Sequence, residues 1–190
     1  MNLRKELQRD ARDHKYEHTE TGVFFPRSRI AFDNYFDISV NGDEPSIAAN
    51  MVVNQGLIYI LGVALSTESK LSTWYMAPYA ANVAPGSGWT AANFATNSTE
   101  FTNYAEGSRQ TWTPGSISNM QIDNHASRAT FTIGDGGQTT VWGAGLLSNS
   151  TKGGTSGTLI AAAQLSSSRS GLEEDDELSM GYRVQISDAS

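Results

Sequence analysis

Cysteine is absent from the 190-residue chain, which excludes a disulfide framework and thiolate chemistry. Basic residues are scarce: 13 Lys and Arg stand against 20 Asp and Glu, for a net charge of -7. Such a chain offers no basic face to neutralise phosphates, so non-specific nucleic-acid binding is excluded. Long apolar runs are also missing. Met51 to Leu65 is too short and too interrupted to span a bilayer, so no membrane role is expected. Met1 to Tyr16 is charged throughout and has no apolar h-region. A secretory signal is therefore not expected, and intracellular synthesis of a soluble protein is. No nucleophile-elbow motif and no paired acid and base emerge, so the chain reads as a non-enzyme without a cofactor.

Glycine is abundant, at 18 residues, and Ser, Thr, Asn and Ala are plentiful. That balance favours β-structure with many turns. A hydrophobic fraction of 38% suffices for one core. The apolar content peaks between Asn50 and Tyr79, and the core is expected to nucleate there. Within it, Val53, Leu57, Ile60, Leu61, Ala64 and Leu65 recur at helical spacing. This predicts a helix from Asn54 to Leu65, with Asn54 as cap, laid against a sheet. Gly56 and Gly62 oppose a helix, at roughly 1 kcal/mol each, unless a sheet approaches them closely. Leu61 is expected to be core, so that Leu61→Asp would unfold the domain.

Residues 1–22 read as an N-terminal arm, a peripheral helix or tail with Leu3 and Leu7 as a thin apolar stripe. Residues 23–190 read as a single β-rich domain. Phe36, Ile38 and Val40 followed by Asn41-Gly42 predict a strand entering a tight turn. Leu71 to Tyr79 reads as a strand, and Trp89 to Ala95 as a short helix capped by Thr90. Glu100 to Trp112 reads as a polar-aromatic strand region, and Ser116 to His125 as a loop or irregular strand. Ala129, Phe131 and Ile133, then Asp135-Gly136-Gly137, then Thr139 to Leu147 give the strongest hairpin signal. Asn149 to Gly157 reads as a flexible glycine loop, Leu159 to Leu165 as the next strand, and a last strand runs to about Ile186. About seven to nine short strands with one or two short helices predict a β-sandwich or jelly-roll-like domain.

Constellations that could carry chemistry are weak. Glu173 to Glu177 could in principle hold Ca²⁺, but the spacing is not that of an EF-hand, and a solvated turn is the better reading. His14, Glu17 and His18 have helical spacing without the zinc-protease order. His125, beside Asp123 and Ser127, reads as loop decoration. Gly153 to Gly157 after Lys152 has phosphate-loop residue types in the wrong order. No metal site is expected. Trp74 and Trp142 read as core, while Trp89 and Trp112 adjoin Pro/Gly loops and read as surface residues, suited to a partner or, less well, to a glycan. Phe24 and Phe25 would be costly to expose, so they, with Arg27 and Arg29 nearby, are the other expected partner contacts.

Taken together, NGDEPSIAANMVVNQGLIYIL, STWYMAPYAANVAPGSGWTAANFA, EFTNYAEGSRQTWTPG, NHASRATFTI, VWGAGLLS and GTLIAAAQLS resemble a group of tailed-bacteriophage virion structural proteins. The resemblance runs from about Val23 to Ile186 and omits the arm. It is one of overall pattern and brings no catalytic residues. It implies a virion location, with assembly in the bacterial host cytoplasm. The expected function is capsid decoration or cement. The expected partners are the major capsid protein or other virion proteins, and the chain is expected to be a homo-oligomer such as a trimer. A neck or tail component, an adaptor or fibre-attachment module, is the alternative, and a glycan-binding module a weaker one.

Overall fold

The computed structural model describes residues 16–18, 24–26 and 30–188. The chain divides into two compact units, Met1–Phe32 with Ile186–Ser190, and Asp33–Gln185. In the first unit, β1 (Tyr16–His18) pairs antiparallel with β2 (Phe24–Pro26). There too, β3 (Ile30–Phe32) pairs with Ile186–Asp188. The helical spacing expected for the arm fails at Glu17 and His18, which are strand residues. The rest of the arm's expected helix, with Leu3, Leu7 and His14, lies outside the described residues.

The second unit is the predicted β-sandwich. Its strands are β4 (Tyr35–Val40), β5 (Ser46–Ala49), β6 (Met51–Val52), β7 (Trp74–Tyr79), β8 (Gln110–Trp112), β9 (Gln121–Asp123), β10 (Ala129–Thr132), β11 (Thr140–Leu147), β12 (Leu159–Ser170) and, up to Gln185, β13 (Glu177–Asp188). One sheet runs β10-β13-β4-β5, with β9 also against β13; the other runs β6-β12-β11-β7-β8. All pairs are antiparallel.

Strand alternation sorts the side chains. Phe36 and Ile38 of β4 face Tyr182 and Met180 of β13 across the ladder, and Phe131 of β10 faces Leu178. These inner residues pack with Met76, Val141, Ala144, Leu146, Ala161, Ala163 and Leu165 of the opposite sheet. The Phe36 and Tyr182 rings stack at 4.2 Å. The other parity of the β7-β11-β12 sheet carries a second cluster: Ala77, Tyr79, Leu147, Leu159 and Ala162. Helix α2 (Ala91–Ser98) covers that face with Ala91 and Phe94. Thr90 precedes it as expected, and the Asn93 side chain accepts the Thr90 N–H at 2.8 Å. Gly145 leaves the room Phe94 needs, since a Cβ there would overlap its ring.

The Asn41-Gly42 turn forms as predicted, with both residues at positive φ and the Asp43 N–H donating to Val40 O at 2.9 Å. Three expectations are corrected. The strand β10, the Asp135-Gly136-Gly137 turn and β11 do not form a hairpin. β10 pairs with β13 and β11 with β12 and β7, so the turn carries the chain from one sheet to the other. Turn residues encode reversal, not which sheet receives the returning strand. The segment Glu100 to Trp112 is strand only at β8; before it, Glu100 and Tyr104 make isolated bridges to Tyr79 and Ile133, and the Glu100 and Arg109 side chains are buried. Finally, only part of the Asn50–Tyr79 stretch is core: Val53 and Met76, Ala77 and Tyr79 are fully buried, whereas helix α1 (Asn54–Leu65) lies at the edge of the interlayer with Gly56 buried, Tyr59 and Ile60 packed against the core, and Leu61 exposed.

Candidate interaction surface

Helix α1 has the boundaries its spacing predicts, NQGLIYILGVAL, and it contains no charged residue. Val53, not Asn54, occupies the cap position. The start is held by other bonds. The Val53 N–H donates to Ile160 O at 3.1 Å and the Asn54 N–H to Ser87 O at 2.9 Å. Gln55 Oε1 accepts the N–H groups of Ala91 and Leu159, each at 2.9 Å. One residue thus ties α1 to α2 and β12. Gly56 lets the helix backbone ride directly on β12, where a Cβ would meet the Ile160 backbone. Tyr59 packs edge-on to Trp74 at 5.2 Å and its hydroxyl accepts the Leu71 N–H at 2.7 Å.

The opposite side is open. Leu57 is 38%, Leu61 57%, Ile58 66% and Leu65 82% exposed. At about 100° per residue, these four and Ala64 fall within an arc of roughly 120° centred on Leu61. A helix that is apolar all round belongs in an interior. Here one side is docked and the other faces solvent. Burying such side chains is worth roughly 1.5–3 kcal/mol apiece, and contiguous exposed apolar patches mark interaction sites.

A polar network occupies the outer face of the β13-β4 sheet. Asp37, only 3% exposed, forms an ion pair with Arg128 through Oδ1 and meets His125 Nε2 at 2.8 Å through Oδ2. Gly181, opposite Asp37 in the ladder, leaves space for that pair. His125 Nδ1 lies 3.5 Å from Asp123, and Arg183 lies 3.7 Å from the same carboxylate. Tyr35 stacks on His125 at 5.9 Å, with the Arg183 guanidinium 5.2 Å from its ring. Burial pushes the Asp123 carboxyl up, but the His125 N–H, the Gln121 amide and the charges of His125 and Arg183 outweigh it, so it sits below its ordinary value. His125 is therefore clamped between two carboxylates, a link between β4 and β9. No serine or threonine hydroxyl bonds to it among the described residues.

The 149–157 loop is not slack. Glu100 and Arg109 form a buried bidentate pair at 2.8 and 2.6 Å, with side-chain exposures of 2% and 0%. Arg109 also donates to Asn149 O at 2.9 Å and Gly154 O at 3.1 Å, while Gly153 N–H donates to Glu100 at 3.1 Å. Lys152 donates to Tyr104 O and sits 3.7 Å above the Tyr104 ring. Two backbone carbonyls thus join the Glu100 carboxylate around the guanidinium, which ties the loop to the buried pair.

Of the residues singled out from sequence, Trp89 is buried among Tyr79 and Phe94, each ring 6.2 Å away. Its expected surface position is thus corrected: the indole closes the α2 cluster. Trp112 is half-buried, its Nε1–H donating to Tyr182 O at 3.3 Å. Phe24 and Phe25 lie on β2 but their side chains are outside what is described, and Arg27 and Arg29 lie outside the described residues. In the acidic turn, Asp176 accepts from the Glu173 N–H and the Asn41 amide at 2.8 and 2.7 Å, which hold its carboxyl below the ordinary range. No group of three or more metal-ligating side chains gathers among the described residues. No described helix is long and apolar enough to cross a membrane. The outer-face network had one sequence signal, a charged Asp37 inside the apolar strand YFDISV. The Glu100–Arg109 pair had none.

Comparison with protein families, with curated proteins and with solved structures yields no match.

Proposed function

We propose that the chain is a virion structural protein of a tailed bacteriophage, bound to the outside of the head as decoration or cement. The observation that carries this reading is the uncharged, solvent-facing stripe of α1, held on a β-sandwich. That is the build of an assembly module. The sequence resemblance supplies the setting, the major capsid protein the lattice partner, and the host cytoplasm the place of assembly. A component that binds only the assembled lattice stabilises it by mass action, and linked copies gain further through multivalency.

Quantitative mass spectrometry of purified particles tests the reading. Decoration predicts hundreds of copies per particle; about six to twelve copies, the stoichiometry of a closed ring, would assign the chain to the neck or tail instead. Absence from the particle would refute a virion role altogether.

A further inference from the structure

We infer that Asn41 is a latent self-modification site, held in its amide form by Asp176. Asn41-Gly42 is the only Asn-Gly pair in the chain, and it stands exposed at the turn after β4. Asparagine is among the heat-labile residues. A glycine after it eases the reaction, because no side chain shields the attacking backbone nitrogen. The Gly42 nitrogen loses its proton and bonds to Asn41 Cγ. The Cγ–Nδ2 bond breaks, and the amide nitrogen leaves with that proton as ammonia. Water then opens the cyclic imide at either carbonyl and leaves aspartate or isoaspartate at position 41. Water is consumed and ammonia released.

The fold opposes the first step. Asn41 Nδ2 donates to Asp176 Oδ1 at 2.7 Å, and Asn41 Oδ1 accepts the Glu177 N–H at 2.8 Å. Both ends of the amide are thus tied to the start of β13. The Asn41 N–H donates to Glu177 O at 2.9 Å, so the backbone is fixed on the same residue. Asp176 is anchored in turn, since its Oδ2 accepts the Glu173 N–H at 2.8 Å. The Glu173 N–H and the Asn41 amide both favour the ionised carboxyl, the form that only accepts. To bring Cγ onto the Gly42 nitrogen the side chain must rotate, and rotation breaks both of its bonds.

Conversion would turn this link into a repulsion. An aspartate at position 41 would set a second carboxylate against that of Asp176, where an amide now donates. Isoaspartate would route the chain through Cγ and lengthen the backbone inside a tight turn closed by the Asp43 N–H on Val40 O. Either product would unfasten the end of β4 from the start of β13.

The test follows position 41 in the full chain by peptide mapping and mass spectrometry, during incubation in warm, mildly alkaline buffer. Folded wild type should convert at least about tenfold more slowly than the same chain unfolded in urea, the scale set by giving up its side-chain hydrogen bonds. Asp176→Ala, verified as folded by circular dichroism, should recover most of the unfolded rate. That variant also removes the Glu173 bond, so a swap supplies the second arm. Asn41→Asp copies the product and should lower the thermal midpoint at neutral pH. The double variant Asn41→Asp, Asp176→Asn should restore it, because an amide at position 176 donates to position 41 and still accepts the Glu173 N–H. Equal conversion in folded and unfolded wild type, a folded Asp176→Ala chain as slow as wild type, or a double variant no more stable than Asn41→Asp would overturn the inference.

Discussion

Replacing Arg109 by alanine is expected to cost about 3–5 kcal/mol of stability, the range for removing one partner of a buried ion pair. The cost arises from what remains. Glu100 would keep a carboxylate at 2% side-chain exposure with its bidentate partner gone. The carbonyls of Asn149 and Gly154 would lose their donor at the same time. Both ends of the β11-β12 connection would then loosen, since Arg109 holds it from beneath. For a chain of this size the thermal midpoint should fall by roughly 10 °C. The double variant Glu100→Gln, Arg109→Met should lose less than Arg109→Ala alone, because no charge is stranded. Urea denaturation of the single and double variants reads both effects. A loss below about 1 kcal/mol for Arg109→Ala would mean that solvent reaches the pair.

Gly56→Ala should lower stability by about 1–3 kcal/mol, the cost of overpacking a tight contact. The sign is the informative part. By helix propensity alone, alanine should gain about 1 kcal/mol over glycine in a helix interior. At Gly56, however, the added Cβ would meet backbone atoms of Ile160, which cannot swing aside as a side chain can. The helix must lift from β12, straining the Gln55 bonds to Ala91 and Leu159. Gly62→Ala is the internal control. Its Cβ would meet only the end of the Glu68 side chain, so the propensity gain should survive. Equal gains at both positions, measured by thermal unfolding, would show that α1 does not ride on the sheet.

The contrast between these glycines shows how far the sequence could be read. The limits of α1 follow from its 3.6-residue spacing, and the β4-β5 turn from Asn41-Gly42, because both signals are local. The surroundings of α1 are not local. Apolar spacing says that a face seeks cover, not whether the cover lies in the same chain. Leu61 was therefore expected in the core and instead stands 57% exposed. The same limit explains the β10 to β11 connection. Asp135-Gly136-Gly137 announces a reversal, but the pairing of β10 with β13, whose residues come more than forty positions later, decides the sheet. Trp89 beside Gly86 and Gly88 was read as a surface residue, yet the loop folds it against Tyr79 and Phe94. Glu100 and Arg109 sit nine residues apart in an irregular segment, where no period relates them. The residues of the proposed contact were thus visible as a pattern, but their exposure needed the fold.

The most direct measurement is the amount of Leu61→Asp chain carried by particles assembled with it, compared with wild type under the same conditions. The variant removes the centre of the stripe without touching the sandwich core. If α1 is a contact in the assembled particle, losing it forfeits avidity, a factor that reaches about 10²–10⁴ in linked binders. The account predicts a folded variant whose copy number falls at least tenfold, by analogy with that range. Wild-type incorporation of Leu61→Asp would contradict it, and would show that the exposed face of α1 plays no part in assembly.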